Sequence, residues 1–201
     1  IKVNLASRAI SRGIHLLTST LSAGIGAAVS FELTVAKISA ISGIAGEELS
    51  SLETTIRNIA KVSPKTSTEV ATAALEMSKM GVAGQELEAS LKGVVNLSVA
   101  LDEEVGTVGQ TMVAVKNTFG FAAEDLTDIA DKLFTTLGSS ALNLEKFRTA
   151  FSFAGASAEL AGVSFEELSA LMGTLADRGI KASTIGTQLR QIFLRLEDGT
   201  S

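Results

Sequence analysis

Residues 161–193 read AGVSFEELSALMGTLADRGIKASTIGTQLRQIF. Phe165, Leu168, Leu171, Met172 and Leu175 fall three or four apart, which is one face of a helix. Gly179 stops that face, and a short polar turn leads into Gly186, Thr187, Gln188, Leu189 and Arg190. Upstream, Gly162 followed by Val163 has the form of a helix C-terminus. The glycine takes the left-handed conformation and the apolar residue folds back on the last turn. Glu166 and Glu167 then sit in the first turn of the next helix, where its dipole favours acids. Ser164 and Glu167 have the spacing of a capping box.

The same punctuation recurs upstream. Gly43 to Leu49, Gly81 to Leu87, Gly120 to Leu126 and Gly162 to Leu168 each run glycine, apolar, small residues, an acidic or amide pair, then leucine. These glycines lie 38, 39 and 42 residues apart, the scale of one helical hairpin, and fit a solenoid or stacked array of helix pairs. Thr66 with Glu69 has capping-box spacing as well. Helical spacing also links Val105, Val108, Met112, Val115 and Phe119, then Leu144, Phe147, Phe151, Ala154 and Ala158. Alternating strand patterns are absent. The chain reads as all-α, about ten helices joined by short glycine-containing corners, with an apolar N-terminal helix. The helices are expected near 4–30, 32–42, 47–61, 67–80, 85–101, 103–119, 123–137, 143–160, 164–178 and 183–196. Three parts follow: an apolar, weakly basic helix at 1–31, a helical core at 32–196, and a tail or linker at 197–201.

Composition agrees with that reading. Of 201 residues 46% are apolar, yet aromatics are only 4%, with nine Phe and neither Trp nor Tyr. Ala, Leu, Val and Ile pack helices closely and make few deep aromatic pockets. A single Pro argues against a loop-rich fold or a β-sandwich. The chain opens on Ile1 and closes on Ser201 without evident caps, as a portion of a longer chain would. Having no Cys, it lacks disulfides, thiolate metal sites and cysteine nucleophiles, and one His argues against a histidine metal site or a Ser-His-Asp triad. The formal charge of −5 gives no overall attraction to nucleic acid. Lys2, Arg8 and Arg12 precede nineteen uncharged residues, 13–31, of marginal length for a membrane span.

No cluster of residues asks for chemistry. Asp102, Glu103 and Glu104 are the densest carboxylates, and they read as acids at a helix start. His15 stands alone in an apolar helix. Gly24-Ile25-Gly26 follows no strand and lacks the third glycine of a dinucleotide loop. Ser22, Gly26 and Ser30, every fourth position, permit close helix contact. Basic residues are scattered singly without aromatic platforms, so no nucleic-acid reader is expected. Neither catalytic nor metal-binding residues are expected, and no cofactor.

Several segments, in order, resemble the core region of phage tail tape measure proteins. Phe31 and Glu32 with the amphipathic stretch ending at Gly43 are similar to that family's opening block. Pro64, the helix from Glu69 and the stop at Gly81 resemble the next, and Phe119-Gly120 followed by Asp128 to Asp131 the middle block. Ala158 to Gly162, then Gly179, Gly186, Thr187, Leu189 and Arg190, resemble the closing block. Ala182 stands where a second glycine is usual, and Ile185 where a small residue is usual.

The resemblance implies a non-enzymatic structural protein of the virion, lying in the tail tube lumen after assembly in the host cytoplasm. It also implies tail length set by chain length, and release at genome ejection. The partners implied are further copies of the chain (three per tail), the tail tube protein, tail tip or baseplate proteins and tail assembly chaperones. Contact of residues 13–31 with the host membrane is implied too, and no specific nucleic acid. Two other classes fit parts of the sequence. The uncharged 13–31 stretch behind basic residues suits a membrane-active pore former or toxin component. The recurring corners suit a helical-repeat scaffold that binds partner proteins.

Overall fold

The computed structural model describes residues 24–122 and 125–200. Nine helices and no strand occur among them. They are α1 (Gly24–Ser42), α2 (Gly46–Val62), α3 (Ser67–Lys79), α4 (Gly84–Leu101), α5 (Val105–Phe119), α6 (Leu126–Gly138), α7 (Leu144–Leu160), α8 (Phe165–Asp177) and α9 (Ala182–Thr200).

The corners form where glycine was expected to end helices. Gly43, Gly81, Gly120, Gly162 and Gly179 all take positive φ, from 66° at Gly120 to 91° at Gly81. Val82 and Val163 then fold back, each N–H donating to a carbonyl five residues earlier (3.2 Å to Met77, 2.9 Å to Ala158). Both capping boxes are complete, Thr66 with Glu69 on α3 and Ser164 with Glu167 on α8. Pro64 follows Ser63, whose extended conformation (φ −124°, ψ 160°) closes α2, as the residue before a proline prefers.

Three expectations shift. The break expected between residues 30 and 32 is absent, because α1 runs through from Gly24 to Ser42. Glu32 is a change of polarity and not a stop, and Phe31, Val35 and Ile38 bury one stripe that only an unbroken helix can form. Asp102, read as the start of a helix, ends α4 instead, in the left-handed conformation at φ 55°. Aspartate tolerates that conformation better than most residues, which lets a carboxylate stand where five other corners use glycine. α9 continues to Thr200, past the expected end at 196.

From α2 onward each helix packs on the helix two further along, which sorts them into two rows. One holds α2, α4, α6 and α8, the other α3, α5, α7 and α9, and the core lies between and along them. This is a stacked array of helical hairpins. Polar links join equivalent helices 33 to 38 residues apart. Ser51 and Thr55 on α2 donate to Glu88 on α4 (3.0 and 3.1 Å). Gln110 on α5 donates to Glu76 on α3 (2.8 Å) and accepts from Arg148 on α7 (3.3 Å). Lys132 on α6 is ion-paired with Asp128 of its own helix and with Glu166 on α8.

Packing within the rows is uneven. α3 lies close on α5, and α7 closest on α9. Small residues allow this, above all Gly186, where an added Cβ would lie 2.5 Å from the Ala150 carbonyl oxygen. Between the two close pairs stand five of the nine phenylalanines. Phe119, Phe121, Phe147, Phe151 and Phe165 form one cluster with ring centroids 5.5 to 6.4 Å apart.

Candidate functional site

The residues singled out from the sequence do not converge. Gly43, Gly81, Gly120 and Gly162 lie at four alternate corners, each joining a helix of the second row or α1 to the following helix of the first. Phe31 is buried on α1 with the Arg57 guanidinium 4.2 Å above its ring, while Glu32 beside it faces solvent. In the closing block the turn is at Gly179 and Ile180, and Gly186 lies inside α9. Gly186 faces α7, and Ile185 and Leu189 are buried. Thr187 and Arg190 are exposed, and the Thr187 hydroxyl donates to the Ser183 carbonyl (2.9 Å). Corner glycines, buried packing residues and exposed helix positions are thus all among them, distributed along the array.

The acidic stretch is taken up by structure as well. Glu104 occupies the N-cap position of α5 and accepts from the Thr107 hydroxyl (3.1 Å), and the Glu103 carbonyl accepts from Lys65 Nζ (3.0 Å). No group of three or more potential metal ligands occurs among the described residues. His15 and Ser22 lie outside them.

Two of the grooves between helices of the same row exceed 500 Å³. One, of about 510 Å³, lies between α6 and α8 and is lined by Lys132, Thr135, Ser139, Ser169 and Asp177 among others. Thr135 and Ser139 donate to carbonyls of their own helix (2.9 and 2.6 Å), and Asp177 accepts from the Ala141 N–H (2.6 Å). Ser169 Oγ is buried with no hydrogen-bond partner. Hydrogen bonding to Lys132 holds the Glu166 carboxyl below its ordinary pKa, and hydrogen bonds to Asp128 and then Glu166 raise that of Lys132. The other, of about 620 Å³, lies between α5 and α7, with Gln110, Glu145, Arg148 and Thr149 on its walls. Its Gln110–Glu76 link helps hold Glu76 below the ordinary carboxylate range, after the larger effect of Lys79. The charged groups are fixed by one another, as in structural clamps. The signal that could have revealed these clamps is the near-repeat spacing of Glu76, Gln110 and Arg148, 34 and 38 residues apart.

α1 is a third feature. It is long and apolar enough to cross a membrane by length and composition. One side buries Phe31, Val35 and Ile38, and the other exposes Ile25, Val29 and Leu33. Residues 24–30 are exposed throughout, so the helix projects from the stack.

The family described as phage-related minor tail protein matches residues 53–201, from within α2 to the end. The tape measure protein of Pneumococcus phage Dp-1 is 25% identical over 170 residues, covering 85% of this chain and 15% of that protein. The probable tape measure protein of Escherichia phage P2 is 25% identical over 166 residues, 82% of this chain and 20% of its own length. This chain therefore spans about a fifth or less of the relatives it matches. No solved structure matches it.

Proposed function

Since the chain belongs to the phage-related minor tail protein family, a family of structural tail components, we propose that it is the folded helical core of a tape measure protein, acting in tail assembly and length determination. The observation that carries this reading is the similarity to two tape measure proteins over more than four-fifths of the chain. The structure is in keeping with it, being a helical array whose polar groups form caps and inter-helix clamps.

On this reading residues 32–196 form the tape measure core, placed in the tail tube lumen after assembly in the host cytoplasm and released at genome ejection. Three copies associate, in contact with the tube protein, the tail tip or baseplate proteins and the assembly chaperones. The apolar side of α1 supports contact with other chains or with the host membrane.

The two-row stack bears on how such a segment measures length. An extended helix advances about 1.5 Å per residue, so residues 81–119 correspond to about 60 Å of axis if drawn out. In the stack the same residues are one corner and the α4–α5 pair, one step of about 10 Å between neighbouring helices of a row. Ruler function therefore requires the hairpins to open while the helices persist.

The test is an in-frame deletion of residues 81–119 in the full gene, with tail length read by electron microscopy. Tails shorter by about 60 Å are expected. Well-formed tails of unchanged length would remove this segment from the ruler.

A further inference from the structure

The four corners of the form glycine to leucine give the first-row helices a common register, with Leu49, Leu87, Leu126 and Leu168 equivalent. Three residues further on stand Leu52, Ser90, Ile129 and Leu171. The first three are buried, at 1, 2 and 1% exposure, on helices that each have another member of the row beyond them. Leu171, on the last member α8, is 41% exposed. The second row ends in the same way. α5 and α7 each bury eight residues, whereas α9 buries Ile185, Gly186, Leu189 and Phe193, and Ile192 is 51% exposed. The position that stacking covers three times is left open at the fourth.

We infer that the α8–α9 end is a docking face, and that its occupant is a further first-row helix of the same polypeptide, built like α4 and α6 and entered from α9 through another corner. Three observations select that occupant. The register carries the existing row interface onto α8 without a break. α9 stands where α5 stands before α6, as the helix that leads into a first-row helix. The relatives are several times the length of this chain. The inference rests on the helix register and not on the tape measure reading, so failure of one leaves the other standing.

The chain contains no Cys, so a single thiol can report cover at this face. Leu171→Cys is compared with Ser90→Cys, a near-isosteric change at the buried equivalent, and with Lys92→Cys, at a position of α4 that stays exposed although α6 lies beyond that helix. Each is labelled with a maleimide in residues 1–201, dilute and concentrated, and in the complete gene product. Expected in residues 1–201 at both concentrations is rapid labelling of Leu171→Cys and Lys92→Cys, with Ser90→Cys protected. In the complete product Leu171→Cys slows by about tenfold or more while Lys92→Cys does not. Equal labelling of Leu171→Cys in the short and complete chains overturns the inference. Protection that appears in residues 1–201 on raising concentration also overturns it, and assigns the face to a second copy.

Discussion

At the scale of single residues, glycine serves two different purposes in this chain, and substitution separates them. At Gly120 φ is 66° and an added Cβ meets nothing within 4 Å. Gly120→Ala should therefore cost only the conformational strain, about 1–2 kcal/mol. Gly186 is helical, so alanine would gain up to about 1 kcal/mol of propensity there. Against that gain, its Cβ would lie 2.5 Å from the Ala150 oxygen and 2.9 Å from the Phe153 Cβ. Overpacking costs about 1–3 kcal/mol, and backbone cannot swing aside, so Gly186→Ala is expected to destabilise on balance. Gly138, at the end of α6 with open space and no positive φ, is the control where Ala should stabilise slightly. Far-UV circular dichroism melts of the three variants decide this, since the chain offers neither Trp nor Tyr to fluorescence. The positive-φ corners were legible because Gly-apolar pairs after a helical face have one common use. Gly186 fell within the helix expected at 183–196, but its close approach to α7 was not legible, since spacing along one helix does not name the helix that faces it.

Titration belongs to the same scale. Glu69 is held below the ordinary carboxylate range first by the Thr66 hydroxyl and then by its N–H, and Glu167 by the Ser164 N–H and then hydroxyl. Glu76 and Glu166 are lowered first by Lys79 and Lys132. A carboxylate lowered on folding gives stability that is present above its unfolded pKa of about 4.3 and lost as pH falls through the folded value. Lys132 is raised, so its contribution is full below about 10.4 and lost as pH climbs through the folded value. The melting temperature should therefore be flat near neutrality, fall below about pH 4.5 and fall again at strongly alkaline pH. In Lys132→Met the alkaline fall should shrink. An unaltered alkaline limb in that variant would remove Lys132 as its source.

At the scale of elements, α3, α7 and α8 start on a side-chain cap that the sequence supplies. Thr66 on α3 accepts from the Glu69 N–H (3.3 Å) while the Glu69 carboxylate accepts from the Thr66 N–H (2.7 Å). Thr66→Ala removes one half of that exchange and should cost about 1 kcal/mol. Its clearest sign would be faster hydrogen exchange in the first turn of α3, with the remaining helices unchanged. Uniform acceleration along the chain would mean that the cap stabilises the whole stack instead. Helix existence was legible at this scale because the three-and-four spacing runs through nearly every segment. The start of α5 was misplaced, since three consecutive acids look alike whether they end one helix or begin the next. Only backbone geometry at Asp102 separates the two.

At the scale of the whole molecule, the array is two closely packed pairs, α3 on α5 and α7 on α9, held together across a phenylalanine cluster. The 38-to-42-residue recurrence pointed to stacked hairpins, but nothing in the spacing of five phenylalanines from 119 to 165 showed that they meet. Phe165 is 1% exposed and its ring lies against three others, Phe119 at 5.7 Å, Phe147 at 6.3 Å and Phe121 at 6.4 Å. Phe165→Ala should cost about 3–5 kcal/mol, from the lost transfer energy and the cavity it leaves. In an array each unit is stabilised mainly by its neighbours, so damage at one junction weakens coupling as well as stability. Unfolding of the variant in urea is therefore expected to separate into two steps, the α2–α5 half and the α6–α9 half no longer melting together. Phe134→Ala, at a 48% exposed ring outside the cluster, should lower stability far less and keep a single transition. A single transition in Phe165→Ala, merely shifted to lower urea, would show that Gln110 with Arg148 and the contacts of α4 with α6 couple the halves without the ring cluster. Separation into halves would instead locate the joint at which the stack can open while its helices persist, the property that a length-measuring segment in a narrow tube requires.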